Sequence, residues 1–227
     1  MGRFDAVFVD FYGTVTGGDR LAVERACRKV VEAFDVPLTP SAFAVHWGEV
    51  FFATLARRNH AEFRTLYECE IESLRRSLSE WGAVDGIDLD PFVEEIENYW
   101  ADPPVHDDAV DFLARCPLPT CCVSNADTAP LLSAIRKHDL RFDAVVSSEA
   151  SRSYKPDSAI FERAMKTLGV QASRVLHVGD SLHSDIRGAH GAGISTAWVC
   201  RDDRIHDIGN CKPQYQISTL DELLALL

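Results

Sequence analysis

No apolar run in the 227-residue chain approaches the roughly 20 residues a membrane helix needs. Stretches such as Cys121–Val123 and Ala144–Val146 end after three. The first ten residues lack the basic start, long apolar middle and small-residue cleavage site of a secretory leader, so a cytoplasmic location is expected. There is no Cys-x-x-Cys pair, and seven cysteines are an odd number, which argues against a disulfide framework and a zinc cluster. Cys121 and Cys122 lie inside an apolar run, where a thiol serves as a small hydrophobe. Positive charge is scarce: 23 Lys+Arg against 35 Asp+Glu leave a net −12, which phosphate backbones and anionic membrane surfaces repel. Nucleic acid and membrane are thereby excluded as partners. No internal repeat or long linker interrupts the chain. What remains is an ordinary globular composition, 46% hydrophobic and 26% charged, long enough for one large domain or a core with a sizeable insert.

Short β-rich apolar runs recur at Phe4–Asp10, Thr120–Ser124, Phe142–Ser147, Arg174–Gly179, Ile194–Val199 and, more weakly, Gln214–Ile217. Between them fall helical patterns at Asp107–Arg115, Ala129–His138, Asp157–Leu168, Asp185–Ala192 and Leu220–Leu227. This alternation specifies βαβ units, an α/β fold with a parallel sheet covered by helices on both faces. Residues from about Leu21 to Trp100 break the rhythm and carry only helical periodicity, as in Leu21, Ala22, Ala26, Val30 and Phe34, then Phe63, Leu66, Ile71, Leu74 and Leu78. They read as an all-α cap inserted after the first strand, with Gly17-Gly18 and Pro103-Pro104 at its two crossings. The expected division is a core of residues 1–16 and 101–227 and a cap of residues 17–100.

Ligands of parallel α/β sheets bind beyond the carboxyl ends of the strands. Those ends deliver Asp10 followed by Phe11-Tyr12-Gly13-Thr14, then Ser124-Asn125, then Lys155-Pro156-Asp157, then Asp180 with Asp185 five residues on. Several carboxylates at one point repel by about 4 kcal/mol per pair at 4 Å and an effective dielectric of 20. A divalent cation is the expected remedy, and all-oxygen ligands favour magnesium.

These four segments, DFYGT, SN, YKPD and GDSLHSD in this order, resemble the motifs of the haloacid dehalogenase-like (HAD) superfamily, over roughly residues 4–15 and 105–200. The resemblance implies a Rossmann-like core, an Asp10 nucleophile that forms a covalent intermediate, and a Thr14 that supports the motif loop. It further implies that Ser124, with Asn125 beside it, binds the transferred group and that Lys155 orients nucleophile and substrate. Magnesium would be held by the carboxylates of Asp10 and Asp180 and the backbone carbonyl of Tyr12, assisted by Asp185.

The first motif departs from the phosphatases of this superfamily, which place a second Asp two residues after the nucleophile as general acid/base. Here that position is Tyr12, and such a group is worth ~10²- to 10⁴-fold. Asp-x-Tyr-Gly-Thr is similar to the metal-free 2-haloacid dehalogenases. The last motif points the other way: Asp180 and Asp185 follow the phosphatase pattern, and no Arg occurs within Thr39–Ala44, where dehalogenases hold the substrate carboxylate. Lys29, the only lysine of the insert, stands in its first helix, the wrong place for the Schiff base of the superfamily's phosphonate hydrolases. The expectation is a magnesium-dependent phosphatase acting on a small phosphate ester through an aspartyl-phosphate. A dehalogenase-type hydrolase and a catalytically silent binding module are the alternatives. His46, His60 and Tyr12 are candidates for the missing acid. Arg57, Arg58 and His60 read as a solvated cap face, Trp47, Trp81 and Trp100 as cap core, and His177 as strand packing. His183 has a position from which it could face the crevice. Asp185 serves equally as a helix cap.

Overall fold

The computed structural model describes residues 2–82, 84–201 and 211–227. Six strands form one sheet in the order β3-β2-β1-β4-β5-β6: β1 Ala6–Val9, β2 Thr120–Ser124, β3 Ala144–Ser147, β4 Val175–Gly179, β5 Ser195–Val199 and β6 Tyr215–Ile217. Every pairing is parallel, with Val9 opposite Cys122 on one side and Val178 on the other. Side chains alternate across β1, so Val7 and Val9 join one apolar layer with Phe112, Leu131 and Leu220, while Ala6 and Phe8 join the opposite layer with Ile160, Phe161 and Ala164. Cys121 and Cys122 are buried in opposite layers by the same alternation, and the cysteines are free thiols. The covering helices are α5 Asp107–Arg115, α6 Thr128–Lys137, α7 Ser148–Ser151, α8 Ser158–Leu168 and α9 Arg187–Gly191.

Between β1 and α5 the described residues form four α-helices, α1 Asp19–Ala33, α2 Pro40–Leu55, α3 Leu66–Leu78 and α4 Asp90–Ala101, and a short 3-10 turn at His60–Glu62. Their apolar faces make a separate core around Val30, Phe43, Trp47, Leu74 and Val93. The two crossings lie side by side. The Gly17 N–H donates to the Pro104 carbonyl, the His106 N–H to Val15, and Gly18 sits at φ 85° with Pro104 where a Cβ would point. Only glycine takes that conformation without strain.

The periodicity misplaced some details. Leu21 is 56% exposed, so the inner face of α1 runs through Ala22, Ala26, Cys27 and Val30 instead. Phe63 precedes α3 and stacks on Tyr154 of the core, ring centroids 5.2 Å apart. The chain near Asp185 is a π-helical turn, Leu182–Ile186, ahead of α9, and the cap of that turn is the Ser181 hydroxyl accepting from the Ser184 N–H. Asp185 joins this cap from inside the turn, its Oδ2 accepting from the Ser181 N–H. Among the described residues no helix is long and apolar enough to cross a membrane.

Candidate active site

The carboxyl ends of β1, β2 and β4 bring the sequence-predicted residues to one buried point. Asp10 follows β1, its N–H donating to the Val178 carbonyl. Gly13, at φ 88°, lets the chain curl so that the N–H groups of Thr14, Val15 and Thr16 all converge on the Phe11 carbonyl. That curl returns the Thr14 hydroxyl to 3.0 Å from Asp10 Oδ2 and 3.1 Å from Asp180 Oδ1. The Arg201 guanidinium holds the same loop from behind, donating to the Thr14 carbonyl at 2.7 Å while paired with Asp108 at 3.1 Å.

Lys155 Nζ, almost fully buried, donates to Asp10 Oδ1 and Asp185 Oδ1, both at 2.6 Å, and to the Val123 carbonyl at 2.9 Å. Burial alone would lower the ammonium's pKa, but the two carboxylates raise it. Asp185 also accepts from His177 Nε2 at 2.9 Å and from the Ser181 N–H at 3.1 Å. Burial pushes its carboxyl up, yet Lys155 and His177 outweigh that and hold it at about 2. Asp10 goes the opposite way: burial and the Asp185 charge raise it against the pull of Lys155. Gly179 makes the arrangement possible, since a Cβ there would overlap the Asp185 carboxylate.

Oxygens of Asp10, Asp180 and Asp185 lie within 4.8 Å of one another. Counted as ionised, its three carboxylates and the Lys155 ammonium sum to a formal charge of −2. This buried, all-oxygen set fits one hard divalent cation, and a positive charge there would relieve the repulsion that raises Asp10. Asp185 is the least available ligand, because its oxygens already serve Lys155, His177 and Ser181.

Three expectations take a different form. The Asn125 carboxamide is engaged at both ends by the backbone of Lys155, accepting from its N–H at 2.7 Å and donating to its carbonyl at 3.1 Å, so it seats the lysine. Ser124 Oγ, in contrast, is buried with no protein partner, as a group reserved for a ligand would be. The Tyr12 hydroxyl donates to the Trp100 carbonyl at 2.6 Å, and the two rings lie 4.6 Å apart, which joins the motif loop to the end of α4. His177 is more than packing, since it supports Asp185.

The cap candidates are spread out. His46 packs against Trp81 within the cap, Arg58 pairs with Glu72, and Lys29 pairs with Glu95. Trp47 and Trp81 belong to the cap core, whereas Trp100 stands at the junction with the core. His60 reaches across to Asp157 at 3.0 Å. Beside it, Asn59 accepts from the Tyr154 N–H and the Tyr154 hydroxyl donates to the Arg64 carbonyl. Asp127, four residues before Leu131 and three after Ser124, accepts from the first two amides of α3, Leu66 and Tyr67, at 2.7 and 3.1 Å. These cross-links went unseen in the sequence because each pairs residues about 60 or more positions apart. One signal was available: Asp127 is an acidic residue placed just after a motif.

The model of the haloacid dehalogenase-like hydrolase family matches residues 4–193, and the chain belongs to that family. It has the α/β HAD fold with a helical cap. It is 37% identical over 87 residues to the N-acylneuraminate-9-phosphatase of Mus musculus and 40% identical over 87 residues to the pyrimidine 5'-nucleotidase YjjG of Escherichia coli. Each match covers 38% of this chain and little more than a third of the relative, 35% and 38% respectively. Among solved structures, the L-2-haloacid dehalogenase of Xanthobacter autotrophicus superposes with a TM-score of 0.76 over 98% of both chains at 22% identity. The HAD hydrolase YfnB of Bacillus subtilis, bound to magnesium, gives 0.78 over 99% of both at 23% identity. At such identities the likeness speaks for the fold alone.

Proposed function

We propose that the chain is a magnesium-dependent phosphatase of small phosphate esters, working through an aspartyl-phosphate on Asp10. The observation that carries this reading is the charge of the site: three buried carboxylates face one ammonium, a surplus that a metal-free site for a monoanionic haloacid would have no use for. The phosphatase names among the relatives agree with it.

Asp10 Oδ2 is the attacking atom, because Oδ1 is held by Lys155. The Thr14 hydroxyl orients it. Ser124 Oγ receives a phosphoryl oxygen, and the Lys155 ammonium, its three protons engaged by Asp10, Asp185 and the Val123 carbonyl, offsets the charge that builds there through its field. Asp10, Asp180 and the Tyr12 carbonyl would hold the cation, with Asp185 steadying Lys155; when bound, the cation screens the nucleophile from the anionic substrate. Tyr12, through its hydroxyl, keeps the cap seated on the motif loop and takes no proton.

The test is phosphate release from 4-nitrophenyl phosphate with magnesium and with a chelator, beside Asp10→Asn and a halide-release control on 2-chloropropionate. Release that needs both magnesium and Asp10 is expected. Halide release indifferent to chelator would replace this reading with the dehalogenase one, which Tyr12 in the first motif favours, and no turnover on either would favour a silent binding module.

A further inference from the structure

The nucleophile and its neighbouring carboxylate meet through one side chain. The Thr14 hydroxyl lies 3.0 Å from Asp10 Oδ2 and 3.1 Å from Asp180 Oδ1. It has a single proton on a short, β-branched stem, so its place between the two oxygens is set by the backbone of residues 14 and 180. Both backbones are held from the end of β5. The Trp198 indole N–H donates to the Asp180 carbonyl at 2.8 Å. Arg201, two residues past β5, donates to the Thr14 carbonyl from Nε at 3.2 Å and from Nη2 at 2.7 Å.

Arg201 can hold that carbonyl because it is itself fixed. The N–H of Cys200, just before it, donates to the Ile217 carbonyl of β6 at 2.9 Å. Nη1 and Nη2 donate to Asp108 Oδ1 and Oδ2, both at 3.1 Å, a two-point match that sets the plane of the guanidinium. Asp108 in turn accepts from the Leu220 N–H at 2.7 Å. The side chains of Arg201 and Asp108 are 9% and 17% exposed, so little water competes for these bonds. Their opposite charges cancel, and what reaches Thr14 is position rather than field. Immediately after Thr14 the chain pairs with the returning crossing, through the His106 N–H on the Val15 carbonyl and the Gly17 N–H on the Pro104 carbonyl. Arg201 therefore fastens the motif loop to the core just before the chain leaves for the cap.

We propose that Arg201 is a positioning residue of the reaction: its fork fixes the Thr14 carbonyl, and with it the Thr14 hydroxyl that orients Asp10 Oδ2 for attack. The inference rests on the phosphatase reading, with Asp10 as nucleophile. Without the fork, the amide bonds of residues 14–16 to the Phe11 carbonyl are left to hold the loop. A displacement of about 1 Å at a reacting atom costs on the order of 10²-fold in rate. Lysine is only a partial substitute, because a single ammonium cannot reproduce a planar fork that serves a carbonyl and a carboxylate together.

The experiment is a stopped-flow measurement of the nitrophenolate burst from 4-nitrophenyl phosphate with magnesium, in wild type, Arg201→Ala and Arg201→Lys, beside their melting temperatures. Arg201→Ala is expected to lower the maximal burst rate ~10²-fold. The substrate concentration for half-maximal rate should stay within several-fold, because Arg201 acts on the nucleophile and not on the substrate. Millimolar guanidinium chloride should restore part of the rate by filling the vacated place, and sodium chloride at equal ionic strength should not. Arg201→Lys should fall between Arg201→Ala and wild type. A wild-type burst rate with a lowered Tm assigns Arg201 to stability alone and overturns the proposal. So does a lowered rate that guanidinium leaves unchanged, or a loss confined to half-saturation. Should Arg201→Ala fail to fold, Arg201→Lys decides: a folded lysine variant with the wild-type burst rate refutes the fork. A wild-type protein with no Asp10-dependent burst overturns the phosphatase reading and this inference with it.

Discussion

Replacing Asp180 by Asn should stabilise the protein without magnesium and destabilise it, relative to wild type, with magnesium. Asp180 lies within 4.8 Å of both other carboxylates, so each repulsion is about 3.5 kcal/mol at an effective dielectric of 20. Its attraction to Lys155 is weaker, because Nζ sits on Asp10 and Asp185 and not on Asp180. Asn keeps an oxygen for the Thr14 hydroxyl and needs no desolvation of a charge. Water entry and side-chain relaxation absorb most of the gross figure, leaving an expected gain of about 1–2 kcal/mol, or roughly 2–8 °C in Tm for a chain of this size. With magnesium at a hundredfold excess over its Kd, wild type should gain about 2.7 kcal/mol and the variant far less. Differential scanning calorimetry in chelator and in magnesium reads all four values. A variant that melts below wild type in chelator, or that keeps the full magnesium shift, would refute the electrostatic reasoning.

Asp185 is held at about 2, below its unfolded value of 3.8, so the stability it contributes is present above about pH 4 and is lost as pH falls towards 2. The linked amount is about 2 kcal/mol, and Asp185→Asn should flatten the acid limb of urea-unfolding stability measured in chelator between those limits. Gly179→Ala should cost about 1–3 kcal/mol and most of the turnover, since the added methyl overlaps the Asp185 carboxylate and drives it off Lys155; unchanged activity would contradict the packing. Tyr12→Phe should lose about 0.5–1.5 kcal/mol of stability with the bond to the Trp100 carbonyl and keep kcat within several-fold; a loss of a hundredfold or more in kcat would return Tyr12 to proton transfer.

The strand runs, their alternation with helices and the ends that carry Asp10, Ser124 and Asp180 were legible because they are local, whereas Lys155 follows β3 only after α7. A buried parallel strand has to be a short apolar run, and the residue after it has to stand at the ligand-binding edge. The helical insert was legible as a class from its periodicity, but not its inner faces: Leu21 fits the period of α1 and still faces solvent. What Asn125 does, how Asp185 reaches Lys155 from a π-helical turn, and why Tyr12 points at Trp100 depend on backbone geometry that no residue spacing encodes. The sequence by itself determined the sheet, the place of Asp10 at its edge and the acidic surplus. Only the tertiary structure decided what covers them, because Leu66 and Tyr67 in the cap and Asp127 in the core, 61 and 60 positions apart, become neighbours only once α3 docks on the end of β2.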